Sequence, residues 1–180
     1  MRPLLILFGI VVVDLLGFGI IIPLFPYMAV RLGATPEQIT PILAVYSLCQ
    51  FIAAPLWGRL SDRFGRRPIL MSSMLGAAAS YLMLAFGDGI GWLVASRALG
   101  GIMAGNISAA MAYASDVTTS ENRARGLGMV GAAIGIGFML GPALGGLLSG
   151  GDLKTASFEV PALVAASLSV AASGLMRARL

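Results

Sequence analysis

Long apolar stretches alternate along this chain with short clusters of charge and turn residues. Residues 39–57 and 68–86 hold no charged side chain, and between them lies Gly58-Arg59-Leu60-Ser61-Asp62-Arg63-Phe64-Gly65-Arg66-Arg67. Each apolar stretch matches the ~20 helical residues that cross a bilayer core. The charged segment therefore reads as a short loop held at a membrane surface. The same pattern draws six spans, at about 3–28, 39–58, 68–87, 91–114, 127–149 and 158–176. The breaks fall at Arg31–Glu37, the charged segment, Gly87–Gly89, Ser115–Arg125 and Gly150–Lys154. Helices are expected because lipid offers no partner to a backbone N–H or C=O. Barrel strands would be about half as long and alternate in polarity, which these stretches do not. The predicted class is an all-α integral membrane protein, with residues 1–180 forming one bundle of six transmembrane helices.

Composition agrees with the bilayer as solvent. Hydrophobic residues make up 58% and charged residues 11% of the chain, where a soluble domain carries about a quarter charged. The net charge of +4 would suit nucleic acid, but the arginines stand at the ends of apolar stretches and form no stripe, so no nucleic-acid partner is expected. Arg2, Arg59, Arg63, Arg66, Arg67, Arg123, Arg125, Arg177 and Arg179 fall on one side, and only Arg31 and Lys154 on the other. The positive-inside rule then puts both termini in the cytoplasm of a multi-pass protein, and a bacterial inner (plasma) membrane is the expected location. Met1-Arg2-Pro3 and the apolar run after it resemble a signal peptide, but no small-x-small cleavage site follows and Asp14 interrupts the run. A retained first span is expected.

Histidine is absent and cysteine occurs once, at Cys49. No intrachain disulfide can form, and Ser-His pairs, Cys-His pairs and most zinc sites are excluded. Neither an enzyme nor a metal site is expected. A faint internal echo is present as well: Pro55-Leu56-Trp57-Gly58-Arg59-Leu60 and Pro142-Ala143-Leu144-Gly145-Gly146-Leu147 both read P-x-x-G-x-L. The second and fifth spans run in opposite directions, so the echo fits a three-plus-three inverted repeat.

Several residues stand out against this background. Asp14 places a carboxylate within the first span, where insertion costs about 2.5–3.5 kcal/mol. Either it faces a polar path through the bundle, or it lies close enough to the cytoplasmic end to be solvated. Gln50, Asn106 and Tyr46 fall near the same depth and supply polar contacts for an otherwise apolar pocket. Arg97 sits about 9 Å into the fourth span at 1.5 Å per residue. It either snorkels to the outer interface or points inward on the face of Gly101 and Gly105. In the fifth span, the spacing of Gly137, Gly141 and Gly145 puts three glycines on one face for close helix approach, and Pro142 supplies a bend. In the charged segment, Gly58 is expected to allow close packing, Gly65 a tight turn, and Asp62 and Arg66 to pair with opposite charges. The plainer alternative is a solvated loop that only sets topology.

The segment from Gly58 to Arg67 fills every specified position of G-x-L-[AS]-D-[RK]-x-G-R-[RK], and so resembles the signature loop of the major facilitator superfamily. Asp14-x-x-Gly17-x-Gly19-x-x-x-Pro23-x-x-Pro26 resembles the first-span motif of its drug/proton antiporters, which include the tetracycline exporters. Gly128, Gly137, Gly141, Pro142, Gly145 and Gly146 are similar to the superfamily's antiporter motif. The resemblance implies the N-terminal half of a twelve-span exporter of drug-like molecules, working by alternating access. It implies Asp14 as proton carrier and Arg97 as its tuning partner. It also implies a conformational latch of Gly58, Asp62, Gly65, Arg66 and Arg67, with Asp116 as the acidic residue met by Arg66. No cofactor is implied beyond a proton gradient. The implied partners are the bilayer, a small-molecule substrate with protons, and a C-terminal six-helix half from the same gene or a second copy. One departure is informative: Ser80 stands where tetracycline exporters carry an aspartate, which argues against tetracycline itself. A sugar or metabolite carrier of the same fold, and a truncated or non-transporting partner subunit, remain as alternatives.

Overall fold

The computed structural model describes residues 2–150 and 157–179. The expected outer loop carrying Asp152 and Lys154 lies outside the described residues. Among those described, the chain is helical with no strand: α1 (Arg2–Ile21), α2 (Phe25–Arg31), α3 (Pro36–Phe64), α4 (Arg66–Phe86), α5 (Ile90–Ala104), α6 (Ile107–Asp116), α7 (Arg123–Ser149) and α8 (Glu159–Arg179). Five of these helices are long and apolar enough to cross a membrane, and α5 with α6 occupies the stretch of the expected fourth span.

Two of the six expected spans are interrupted. The first stops at Ile21 and resumes at Phe25. Pro23 lies in the gap, has no N–H to give to Gly19 and so ends the helical ladder. The fourth is broken at Gly105 and Asn106. There the Asn106 N–H reaches Met103 O at 3.4 Å, one residue short of the α-helical register. The second span, by contrast, is longer than its apolar stretch. Thr35 caps it, its N–H accepted by Gln38 Oε1 at 3.0 Å, with Pro36 at the first position. It then runs on to Phe64, so the charged segment is helix nearly throughout and not the loop expected from its composition. Gly65 alone makes the turn, with φ of 94°, in the region that favours glycine.

The packing pairs describe an inverted repeat. The main contacts join α1 with α7, α3 with α5, α1 with α8, α4 with α5, and α4 with α8. Exchanging the first span for the fourth, the second for the fifth and the third for the sixth maps this set onto itself. The broken spans are repeat partners, and so are α3 and α7, which carry Pro55 and Pro142 in their interiors. The crossings of α1 with α7 and of α3 with α5 are both made through glycine. A Cβ at Gly137 would strike Leu15, at Gly141 the Gly19 backbone, and at Gly145 the Ile20 carbonyl. A Cβ at Gly101 would strike the Tyr46 carbonyl, and one at Gly105 the Trp57 ring.

Two apolar cores result. One gathers Leu7, Ile10, Leu70, Met74, Tyr113 and Val130; the other gathers Ile20, Phe25, Tyr81, Leu84, Leu93 and Ala165. On α1 the first core ends at Leu15 and the second begins at Ile20, which places a gap between them halfway along the bundle. Helices α3 and α7 bury the least of their apolar surface. Phe51 and Leu147 are each 79% exposed, so these faces require lipid or another bundle.

Candidate functional site

The gap between the cores is a cavity of about 100 Å³. Asp14 and Phe18 of α1, Tyr46 and Gln50 of α3, Ser80 and Tyr81 of α4, and Arg97 of α5 all line it. Asn106 joins them from the break in the fourth span, and Phe138 from α7. The structure thus brings together Asp14, Arg97, Gln50, Asn106 and Tyr46, five residues drawn from three separate spans. Ser80 shares their wall.

The break in the fourth span helps explain why. With its helical N–H partner gone, the Ile102 carbonyl accepts from Trp57 Nε1 across the crossing with α3. The neighbouring Ala104 carbonyl accepts from Gln50 Nε2 at 3.3 Å. Asn106 donates through Nδ2 to Ser73 Oγ at 2.8 Å. At the interruption Asn106 faces α4 and shares the cavity with Asp14. Trp57 and Ser73 were not singled out from sequence; the Gly-Asn pair inside an apolar run was the available signal.

Arg97 does not snorkel. It is 2% exposed, and its guanidinium carbon lies 5.2 Å from the Phe25 ring centroid and 5.7 Å from that of Tyr46. Such faces attract a desolvated cation by about 2 kcal/mol each. Tyr46 itself stacks on Phe18 at 4.8 Å, and Phe18 meets Phe138 edge-on at 5.7 Å. The walls are therefore aromatic, with a carboxylate and a guanidinium on one cavity. A volume of about 100 Å³ holds roughly three waters at ~30 Å³ each. A drug-sized ligand needs about 300 Å³ or more, so this bundle supplies only part of any such site.

A second cluster forms at the turn between α3 and α4. Arg66 binds Asp62 one helical turn back and donates from Nε to Asp116 Oδ2 at 3.1 Å, at the end of α6. Its Nη1 also reaches Ser61 Oγ at 2.6 Å, and that hydroxyl donates to Gly58 O at 2.8 Å. Ser61 is buried and completes the cluster, although only its place in the signature pointed to it. Arg67 is exposed beside it. The expected close packing at Gly58 is not found, since a Cβ there would meet no atom within 4 Å. The same holds for Gly128 and Gly146 of the glycine motif. These positions look away from the neighbouring helices of the bundle.

Comparison with known proteins follows the same lines. A 38% identical relative over 170 residues is "Tetracycline resistance protein, class C" of Escherichia coli, covering 93% of this chain and 42% of that protein. "Multidrug resistance protein 2" of Bacillus subtilis (strain 168) is 34% identical over 169 residues, covering 92% and 42%. "Major facilitator superfamily domain-containing protein 10" of Bos taurus is 33% identical over 176 residues, covering 82% and 39%. The chain spans about two fifths of the length of these relatives. The family profile described as "Major Facilitator Superfamily" matches residues 7–179. With agreement along nearly its whole length, this multi-pass membrane chain belongs to the Major Facilitator Superfamily.

Proposed function

We propose that this chain is the N-terminal half of a proton-coupled antiporter that exports drug-like small molecules. The observation that carries the reading is Asp14, a carboxylate within the first span, held on an aromatic cavity with Arg97, Gln50, Asn106 and Tyr46. A carboxylate at such depth marks an ion path. The relatives named for tetracycline and multidrug resistance support export as the direction of transport. The exposed faces of α3 and α7 are where a second six-helix bundle would close the cavity, and rocking between the bundles would alternate access to it. Proton uptake by Asp14 from outside and release inside would drive the exchange. Ser80 in the wall leaves tetracycline outside the proposal.

In this reading Asp62, Arg66 and Asp116 form a latch, because they sit beyond the cavity where α3, α4 and α6 meet. Asp62→Asn, in the chain joined to its second bundle, should cut turnover while substrate affinity stays within a few-fold. Flux and equilibrium binding measured on the same preparation check this; lost affinity with unchanged turnover would move Asp62 into the binding site. The proposed orientation has its own test in a Cys49→Ala background. A membrane-impermeant maleimide should label Asp88→Cys in intact cells and Arg67→Cys only after lysis. Labelling at position 67 in intact cells would reverse the topology.

A further inference from the structure

Asn106 is buried and stands just before α6, where an asparagine side chain commonly caps the helix it precedes. Here it makes no such cap bond. Its Nδ2 donates across the bundle instead, to Ser73 Oγ. Ser73 is fully buried on α4, and its own hydroxyl donates to Leu70 O at 2.8 Å. A hydroxyl has one proton to give, so Ser73 meets Asn106 as an acceptor, and the amide is held nitrogen-first toward α4. An amide nitrogen carries two hydrogens. The second is left for Asp14, whose side chain is the other hydrogen-bond partner of Asn106. Asp14 and Asn106 also meet on a smaller cavity of about 10 Å³, whose remaining walls, Ile10, Met74 and Val130 among them, are apolar. The two side chains thus stand between the main cavity and the first apolar core. The other charged or titratable groups on the main cavity are Tyr46 of α3, Tyr81 of α4 and Arg97 of α5; the smaller one adds none.

We infer that Ser73 and Asn106 are positioning residues for Asp14, a hydrogen-bonded chain from Leu70 O through both side chains that fixes where the carboxyl group sits. The ionised carboxylate accepts the free N–H of Asn106. After proton uptake the carbonyl oxygen of the acid still accepts it, so the group keeps its place between uptake and release. Neither Ser73 nor Asn106 takes the proton itself. Ser73 lines neither of the two cavities, so its hold on Asp14 passes through Asn106. The inference rests on the reading of Asp14 as proton carrier, and its test reports on the carboxyl group separately from flux.

The test is infrared spectroscopy on the chain in lipid nanodiscs, as the difference between spectra taken at acid and at alkaline pH. The protonated-carboxyl band that Asp14→Asn removes belongs to Asp14. Ser73→Ala should move that band to higher frequency, because the amide it anchored no longer holds the carbonyl of the acid. Ser73→Thr keeps the hydroxyl and should leave the band in place. Asn106→Leu, which removes the amide, should move it at least as far as Ser73→Ala. Ser72→Ala, at an exposed neighbouring position, should not move it. If Asn106→Leu fails to fold, the two Ser73 variants decide. In the chain joined to its second bundle, gradient-driven flux should fall roughly 10-fold in Ser73→Ala, the size of one hydrogen bond to a charged group, and recover in Ser73→Thr. An Asp14 band indifferent to Ser73→Ala overturns the inference alone, as does a band that moves while flux stays unchanged. If Asp14→Asn removes no band, the proton-carrier reading falls and the inference with it.

Discussion

Asp14→Asn is expected to abolish proton-driven exchange in the chain joined to its second bundle, a loss on the order of 100-fold or more, since the step needs a group that takes and releases a proton. Asparagine keeps the size and polarity of the side chain, so the cavity with Gln50, Asn106 and Tyr46 should persist. Substrate binding without a pH gradient should therefore survive. The measurement is substrate flux into vesicles with and without an imposed gradient, and the gradient should make no difference in the variant. Asp14→Glu, which restores the carboxyl on a longer stem, should recover part of the coupling. Full gradient-driven flux in Asp14→Asn would assign the proton path to other residues.

The second large effect is structural. Gly141→Leu should destabilise the bundle by about 3 kcal/mol or more, at or beyond the upper end of the usual overpacking range. The reason is local: a Cβ at Gly141 would fall 2.7 Å from the Gly19 carbonyl carbon and 3.1 Å from the Ile20 nitrogen. Backbone cannot swing aside as a flexible side chain can, so α1 and α7 must separate, and Asp14 and Phe138 leave the cavity with them. Gly146→Leu, in the same helix but facing open space, is the matched control. Unfolding in mixed micelles, followed by circular dichroism, should show early melting only for Gly141→Leu. Equal melting of the two would mean that the crossing tolerates separation.

Much of this was legible in the amino-acid sequence, for physical reasons that also mark where legibility ended. The spans were readable because bilayer thickness imposes a length on any apolar helix. The pairing of Arg66 with Asp116 was legible only through the resemblance of the charged segment to the superfamily's signature loop. Where the helices stop was not legible. Charged residues from Arg59 to Arg63 mark the edge of the apolar region, but the helix they sit in continues past that edge because nothing breaks it before Gly65. The interruptions at Pro23 and at Gly105–Asn106 left only single-residue signals, since both fall inside long apolar runs. Glycine spacing showed which residues share a face but not what that face meets. Gly137, Gly141 and Gly145 meet α1, while a Cβ at Gly58, Gly128 or Gly146 would meet nothing among the described residues. The inward orientation of Arg97 depended on Phe25 and Tyr46, residues of other elements whose proximity no spacing along the fourth span encodes.

The central claim is that this bundle is one wall of a proton-coupled exchanger. Its most direct test is a pH-sensitive dye sealed inside vesicles that contain either the chain alone or the chain joined to a second six-helix bundle. When an amphoteric or cationic aromatic drug is placed across the membrane, the joined protein should move protons against the drug in a fixed ratio, and the chain alone should move neither. Drug movement by the joined protein without any proton movement would contradict the account.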